Sequence, residues 1–486
     1  MKKILNWVLA TTLVCGASVF TSCSNDNSDN AGSIEQAKKD RKEFVAHTRA
    51  TLKDLAENLN FSSWNAANTL NQYFNQYVLN NPGFEKAVLA TFMQKTQQSI
   101  KPVEEGSELA EMGYYSFGTV DLTDFNYRFT MNANNDGFDV EAADDFEVIL
   151  NAWNPTTQQV EAGLYRLTLK SGGSTTYKFE HAMSQQPGMA LVVLIPSEFQ
   201  FSIADRLSGQ WHDGFSGSFK NQVSVAAGHE YAQLDRDTWT VAGTIASDFP
   251  GLGTDPKWEA LDQTTLDFSV VSDKVNNKGD VALSWSQNGR KMIDMTLKES
   301  GDGSGGIYNV DLSQLSSGSI FDVIASVFSG RSLDECKLTI LDDLTTTFSI
   351  SDMQKTTKLS QGVARARRNY ADEATIDQFT QQFNEIMKFQ ITCKGINQTY
   401  PMKLITTKFG VDWWTMPAFR FAEGSDYVLV TDALDQESIR YMINIADHAA
   451  EPMQQSAIVV RQLMQYIQTL VGGLQNQQNQ QNQQGS

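Results

Sequence analysis

The chain has 486 residues, 41% of them hydrophobic and 20% charged, with ten prolines and a formal net charge of −19. This is the composition of a folded globular protein, and it excludes collagen-like, low-complexity and small disulfide-stapled architectures. The length allows two or three domains, each able to bury a core, and so acidic a chain repels nucleic acid and anionic membrane surfaces.

In chain order, Met1-Lys2-Lys3 is a short positive region and Ile4 to Phe20 is mostly apolar. The run is too short, and too interrupted by Asn6 and small polar residues, for a membrane span of about 20 apolar residues. It has the form of a secretory signal over residues 1–22. Phe20-Thr21-Ser22-Cys23 follows. Small residues ahead of a cysteine resemble a bacterial lipobox, in particular the loose Ser-Cys lipobox of Bacteroidetes-type outer-membrane lipoproteins, with Phe20 where leucine is usual. The resemblance stops short of the body of the chain. It implies a lipidated Cys23 as the first mature residue, an outer-membrane location, and the bilayer as partner through that lipid. Asp26 and Asp29 resemble the acidic export signal of surface lipoproteins, and the cell surface and the periplasmic face both stay open. Ser24 to Gly32 holds no hydrophobic residue except Ala31, so residues 23–32 are expected to be a solvated tether.

Residues 33–104 are expected to form a helical module. Ser33 and Gln36 match a helix start, and Val45, Leu52, Leu55 and Leu59 recur on one helical face. A second helix begins at Ser62 or Ser63, with a stripe including Trp64, Leu70, Phe74 and Val78. Asn81-Pro82-Gly83 breaks it, and Phe84 to Ser99 is a third helix.

Near Gly113 the pattern changes to short alternating runs, which places a β-rich domain at 105–360. Strands are expected at Tyr127 to Met131, Leu164 to Lys170, Thr176 to Phe179, Ala190 to Ile195, Phe199 to Ile203, Thr238 to Ile245 and Thr265 to Val271. Further runs are Val281 to Ser286, Met292 to Leu297, Ile307 to Val310 and Cys336 to Leu341. Asp136-Gly137, Gly172-Gly173 and Asn288-Gly289 act as turn signals between runs. The Gly/Ser-rich stretch after Trp211 is expected to be a loop, and Leu312 to Phe328 has mixed spacing that admits a helix. In a C-terminal α+β region, 361–474, a helix follows Asp372. Strands then recur at Phe389 to Cys393, Met402 to Thr406 and Tyr427 to Thr431. A long helix, Asp435 to Leu474, precedes a disordered Gln/Asn tail at 475–486. The expected class is α+β: an N-terminal helical module, a large, mostly antiparallel curved β-sheet and a C-terminal helix.

The chemistry-bearing residues are sparse. His229-Glu230-Tyr231-Ala232-Gln233 opens like a zinc helix but lacks the second histidine. No nucleophile elbow, P-loop or dinucleotide fingerprint is present, so no catalytic residue, metal or cofactor is assigned. Asn132, Asn134 and Asp136 partly match the opening of a calcium loop, although the first ligand is Asn and the twelfth position is Ala143; a polar hairpin turn accounts for them, and calcium is the weaker reading. Cys336 and Cys393 remain once Cys15 and Cys23 are set aside. They either pair, with a gain of roughly 4 kcal/mol in the chain-entropy model, or persist as two buried thiols. Arg365, Arg367 and Arg368 form one compact basic cluster, read as ion-pair partners or a solvated loop. Trp211 with Asp213, and the adjacent Trp413 and Trp414, are candidate ligand contacts, since an aromatic ring beside a carboxylate suits a sugar. The expected function is therefore a lipid-anchored envelope protein with a non-catalytic binding or structural role. The sequence assigns no ligand, with a glycan or a hydrophobic molecule as candidates; the alternatives are a surface glycan-binding protein using exposed tryptophans, or a hydrolase with a non-local carboxylate pair.

Overall fold

A computed structural model describes residues 31–59, 78, 80–154, 157–180, 188–224, 228–229, 238–247, 264–273, 275–301 and 331–445. The expected signal, Cys23 with most of the expected tether, and nearly all of the second expected helix lie outside these residues. So do Ile307 to Val310, Leu312 to Phe328, the chain beyond 445 and the tail. The fold is α+β, with a large and mostly antiparallel sheet. The chain divides into two compact units, Met1–Phe61 with Asn277–Gln454 and Ser62–Asn276 with Gln455–Ser486. The first and third expected helices therefore belong to different units.

Helix α1 (Ala31–Asn58) opens the first unit. Its buried residues Phe44, Thr48, Thr51, Leu52 and Leu55 lie three, four or seven apart, which is one helical face.

The second unit starts with α2 (Pro82–Ser99), whose N-cap Asn81 accepts a hydrogen bond from the Gly83 amide. Then come β1 (Lys101–Pro102), the short α3 (Glu108–Glu111), β2 (Ser116–Asp121), β3 (Tyr127–Met131) and β4 (Phe138–Ala142). The long strands β5 (Phe146–Asn154), β6 (Gln159–Glu180) and β7 (Met189–Asp205) follow, and then β8 (His212–Val223), β9 (Thr238–Ser247) and β10 (Thr264–Asp273). Strands β5 to β10 pair antiparallel in sequence order over the ladders β5–β6, β6–β7, β7–β8, β8–β9 and β9–β10. Two pairings are parallel, β2 with β7 and β3 with β5. Along one edge of β7 the neighbour changes: its first half pairs β2 and its second half β8. Phe129, Val148, Leu150 and Leu164 are fully buried at the centre of this unit's core, with Phe84 of α2 packed on Phe129 at 5.5 Å between ring centroids.

The rest of the first unit is a meander of eight antiparallel strands. They are β11 (Lys278–Gln287), β12 (Arg290–Ser300), β13 (Ser332–Ile340) and β14 (Leu344–Ile350), then β15 (Met387–Cys393), β16 (Gln398–Phe409), β17 (Asp412–Arg420) and β18 (Tyr427–Leu429). Helices α4 (Met353–Arg368) and α5 (Glu373–Ile386) join β14 to β15, and α6 (Val430–Ala433) follows β18. Residues 436–445 are helical, with Asp435 accepting from the Ser438 amide at 2.8 Å. Helix α1 docks through Phe44, whose ring lies 5.2 Å from Tyr400, 5.1 Å from Phe419 and 5.4 Å from Phe421.

Several expectations change. Gly172-Gly173 does not separate two strands: β6 runs through it, with a register shift between Gly172 and Thr175 marking a bulge. Similarly, the expected strands Ala190 to Ile195 and Phe199 to Ile203 are one strand, β7. The Gly/Ser-rich stretch after Trp211 is strand β8, not a loop. Its glycine is sterically required, because a Cβ on Gly217 would stand 2.2 Å from the Phe201 ring. Arg365, Arg367 and Arg368 sit in the last turn of α4, where cations oppose the negative end of the helix dipole. Finally, a Cys336–Cys393 disulfide is corrected. Both cysteines are free and buried, on strands that flank β14, with Cys336 opposite Phe348 and Cys393 opposite Leu344. Two strand spacings and four residues of rise, at about 4.8 Å and 3.4 Å each, put them well beyond the ~7 Å Cα limit for a bridge.

Candidate functional site

Period-two alternation gives the sheet of the second unit two unlike faces. One carries Phe201, Phe215, Phe219 and Phe268, with ring centroids 5.4–5.5 Å apart along the chain of contacts. Glycines beneath the rings make room for them: Phe201 is opposite Gly217, and Phe268 is opposite Gly243.

The other face is polar and holds a groove of about 320 Å³ across β6, β7, β8 and β9. Two cross-strand rows line it, with Phe201 and Gly217 between them. Thr168, Ser202, Ser216 and Ala246 form one, and Lys170, Gln200, Ser218 and Thr244 the next. At about 4.8 Å between strands, each row is about 14 Å long. Apart from Lys170 and Gln200 the side chains of the rows are short, so much of the groove floor is close to backbone; besides the Lys170 ammonium, its polar groups are hydroxyls and an amide that both donate and accept.

The row beyond Thr168 contains Arg166, Ala204 and Asp213. Trp211 precedes β8 and borders this end. The Arg166 guanidinium lies 4.5 Å, and that of Arg206 5.6 Å, from the Trp211 ring centroid. Arg206 Nη2 donates to the Ala162 carbonyl at 3.1 Å. Beyond the second row, Lys170 lies 3.4 Å from Asp145, and Lys220 lies 3.4 Å from Glu198. Thr244 donates to Asp267. Among the described residues, the groove lining includes no carboxylate.

Of the candidate residues, Trp211 and Asp213 thus flank a groove, while Trp413 and Trp414 belong to the first unit. On β17 these two tryptophans point to opposite faces. Trp413 is opposite Lys408, whose ammonium is 5.5 Å from its ring, and Trp414 is opposite Thr407. Arg367 of α4 covers Trp414 at 3.2 Å from the centroid. The basic cluster and the tandem tryptophans therefore meet, which their spacing in sequence does not reveal. Asn132, Asn134 and Asp136 form the β3–β4 turn. Asn132 Nδ2 donates to Asp136 Oδ1 at 2.8 Å, and Asn132 Oδ1 accepts from the Asp136 amide at 3.2 Å. His229 Nδ1 lies 3.0 Å from Glu108 Oε1. Among the described residues, no group of three or more His, Cys, Asp or Glu is placed to hold a metal, and no helix is long and apolar enough to cross a membrane.

In the first unit the neighbours Asp342 and Asp343 diverge. Asp342 pairs with Lys394 at the surface. Asp343 accepts from the Gly395 amide at 2.7 Å and Thr51 Oγ1 at 2.9 Å, with His47 Nε2 2.8 Å away. Burial works against its charge, but these donors outweigh it and hold the carboxyl below the usual range. This clamp fastens α1 to the β13–β14 and β15–β16 connections. No protein-family model, no curated protein and no solved structure matches this chain.

The sequence pointed to Trp211 and Asp213 but not to the groove beside them. The alternation of Ser216 and Ser218 with Phe215, Gly217 and Phe219 was the available signal, masked by a composition typical of loops.

Proposed function

We propose that this protein is a lipid-anchored outer-membrane protein with a binding role, and that its second unit holds a glycan against the polar face of β6–β9. The anchor is supported by Ser22-Cys23 and the polar stretch behind it. One acyl chain binds a bilayer marginally, so stable attachment takes two or more on the cysteine. The observation that carries the glycan reading is the pair of rows built from Thr168, Ser202, Ser216, Gln200, Ser218 and Thr244, bordered by the Trp211 ring. Hydroxyls arrayed at strand spacing on a short-side-chain floor match a ligand that is itself a ladder of hydroxyls. Binding is favoured over glycoside hydrolysis because that chemistry needs two convergent carboxyls about 5–10 Å apart.

An oligosaccharide array followed by calorimetry tests the binding. At least one oligosaccharide class should bind the native protein, and Ser216→Leu, which fills the groove from an exposed position, should abolish that binding without lowering the melting temperature. Failure of every oligosaccharide to bind overturns the reading. The anchor has a separate test. A fatty-acid analogue fed to expressing cells should label the protein and leave Cys23→Ala unlabelled; label on the variant refutes lipidation at that residue.

A further inference from the structure

At its Trp211 end, the groove of this strongly acidic protein is bordered by the Arg166 and Arg206 guanidiniums. Arg166, Thr168 and Lys170 alternate along one face of β6, so the two cations stand on the groove side, with Arg206 also against Trp211. Arg166 is the least committed of the three. Its Nε is shielded from solvent and has no hydrogen-bond acceptor among the described residues. Lys170 is satisfied in part by Asp145, and Arg206 by the Ala162 carbonyl. With Nε shielded and the guanidinium face against Trp211, the terminal Nη1/Nη2 edge of Arg166 is the direction in which it can donate to an incoming group. A planar fork of this kind pairs best with a carboxylate or another oxyanion. Glu147, diagonal to Arg166 on β5, accepts from Arg128 Nε at 2.6 Å, and the nearest acid along Arg166's own row, Asp213, is two strands away, about 10 Å.

We propose that the glycan held in this groove is acidic, and that Arg166, positioned by Trp211, takes its anionic group while the hydroxyl rows take the sugar hydroxyls. The inference rests on the glycan reading above and names its ligand class. The anionic group is a carboxylate or a sulfate ester, and both present the same oxyanion edge to the guanidinium.

Three probes separate the outcomes in calorimetry with the full-length protein: a galacturonic acid trimer, its methyl ester, and a sulfated galactose trimer. A charge-assisted bond predicts that one or both acidic probes bind about ten- to a hundred-fold more tightly than the ester, with affinity falling as salt rises. Preference for the first identifies a carboxylate and for the last a sulfate. Arg166→Gln should erase the preference and leave binding of the ester unchanged, while Arg166→Lys should retain part of it. Lys170→Gln, at an exposed position, is the second variant should Arg166→Gln fail to fold; it should lower acid affinity only. Equal binding of acid and ester, or equal loss of both in Arg166→Gln, overturns the acidic assignment and leaves the glycan reading standing. Failure of all probes and of every neutral oligosaccharide overturns both.

Discussion

Arg331 and Glu299 form a buried ion pair in the first unit. Both side chains are fully buried, with Nε and Oε2 3.4 Å apart. Arg331 also donates Nη1 to the Gly301 carbonyl at 2.9 Å and Nη2 to the Asn277 carbonyl at 3.1 Å. It thereby ties the start of β13 to the end of β12 and the entry to β11. The opposite strand has been cut away to admit Glu299: its register partner is Gly279, where a Cβ would stand 2.6 Å from the Glu299 carboxylate. Arg331→Met keeps most of the side-chain volume and removes the charge. Glu299 then loses its buried counter-charge, a change that costs about 3–5 kcal/mol, and two carbonyls lose charged donors. At a urea m-value of about 2 kcal/mol per molar, the unfolding midpoint of the first unit should fall by about 2 M. The double variant Arg331→Met/Glu299→Met should recover much of that loss, because an apolar pair no longer demands a buried charge. The assay is urea unfolding followed by tryptophan fluorescence, since Trp285, Trp413 and Trp414 all report on this unit. A shift below about 0.5 M for the single variant, or a double variant worse than both singles combined, would refute the reasoning.

Two other expectations follow from buried groups of the same unit. The Asp343 carboxyl is held below its ordinary value of 3.8, so its contribution to stability is complete above that pH and is lost as pH falls through the folded value. Asp343→Asn should therefore cost about 1–2 kcal/mol near neutrality and shrink the difference from the native protein at acid pH, read as urea midpoints between pH 7 and pH 3; a constant difference across that range would contradict the clamp. Burial pushes the thiols of Cys336 and Cys393 up to about 12, so iodoacetamide at pH 8 should leave both unmodified in the native protein and alkylate both in denaturant without reductant. A disulfide-linked peptide carrying the two residues would contradict the strand placement.

Local chemistry was legible where one residue does one job. Asn288-Gly289 marked the β11–β12 hairpin, and both residues adopt positive φ, 50° and 75°. Asp372 and Asp435 marked helix starts and do accept from the Thr375 and Ser438 amides. Helix α4 is hard to read from sequence because its apolar positions are few, Met353, Leu359 and Val363 among lysines and arginines. Its cap Asp352, which accepts from the Lys355 amide at 2.7 Å, was the visible sign. Strand β8 was hidden by glycines and serines that elsewhere make loops; here Phe201 covers Gly217 and the serines face the groove. Gly172-Gly173 has the composition of a turn but is a bulge, because the long antiparallel partner β7 continues past it.

What the chain determines by itself is periodicity and punctuation: which residues share a helix face or a strand face, where turns and caps fall, and that Ser22-Cys23 is followed by a polar stretch. What only the tertiary structure decides is which strands lie side by side. The two groove rows gather residues 168 to 246 across four strands, Asp343 reaches His47 and Thr51 from nearly 300 positions away, and Cys336 and Cys393 are held apart by β14. The physical reason is that alternation assigns a side chain to a face but says nothing of its neighbour across the ladder, and both the groove and the buried ion pair are made of such neighbours.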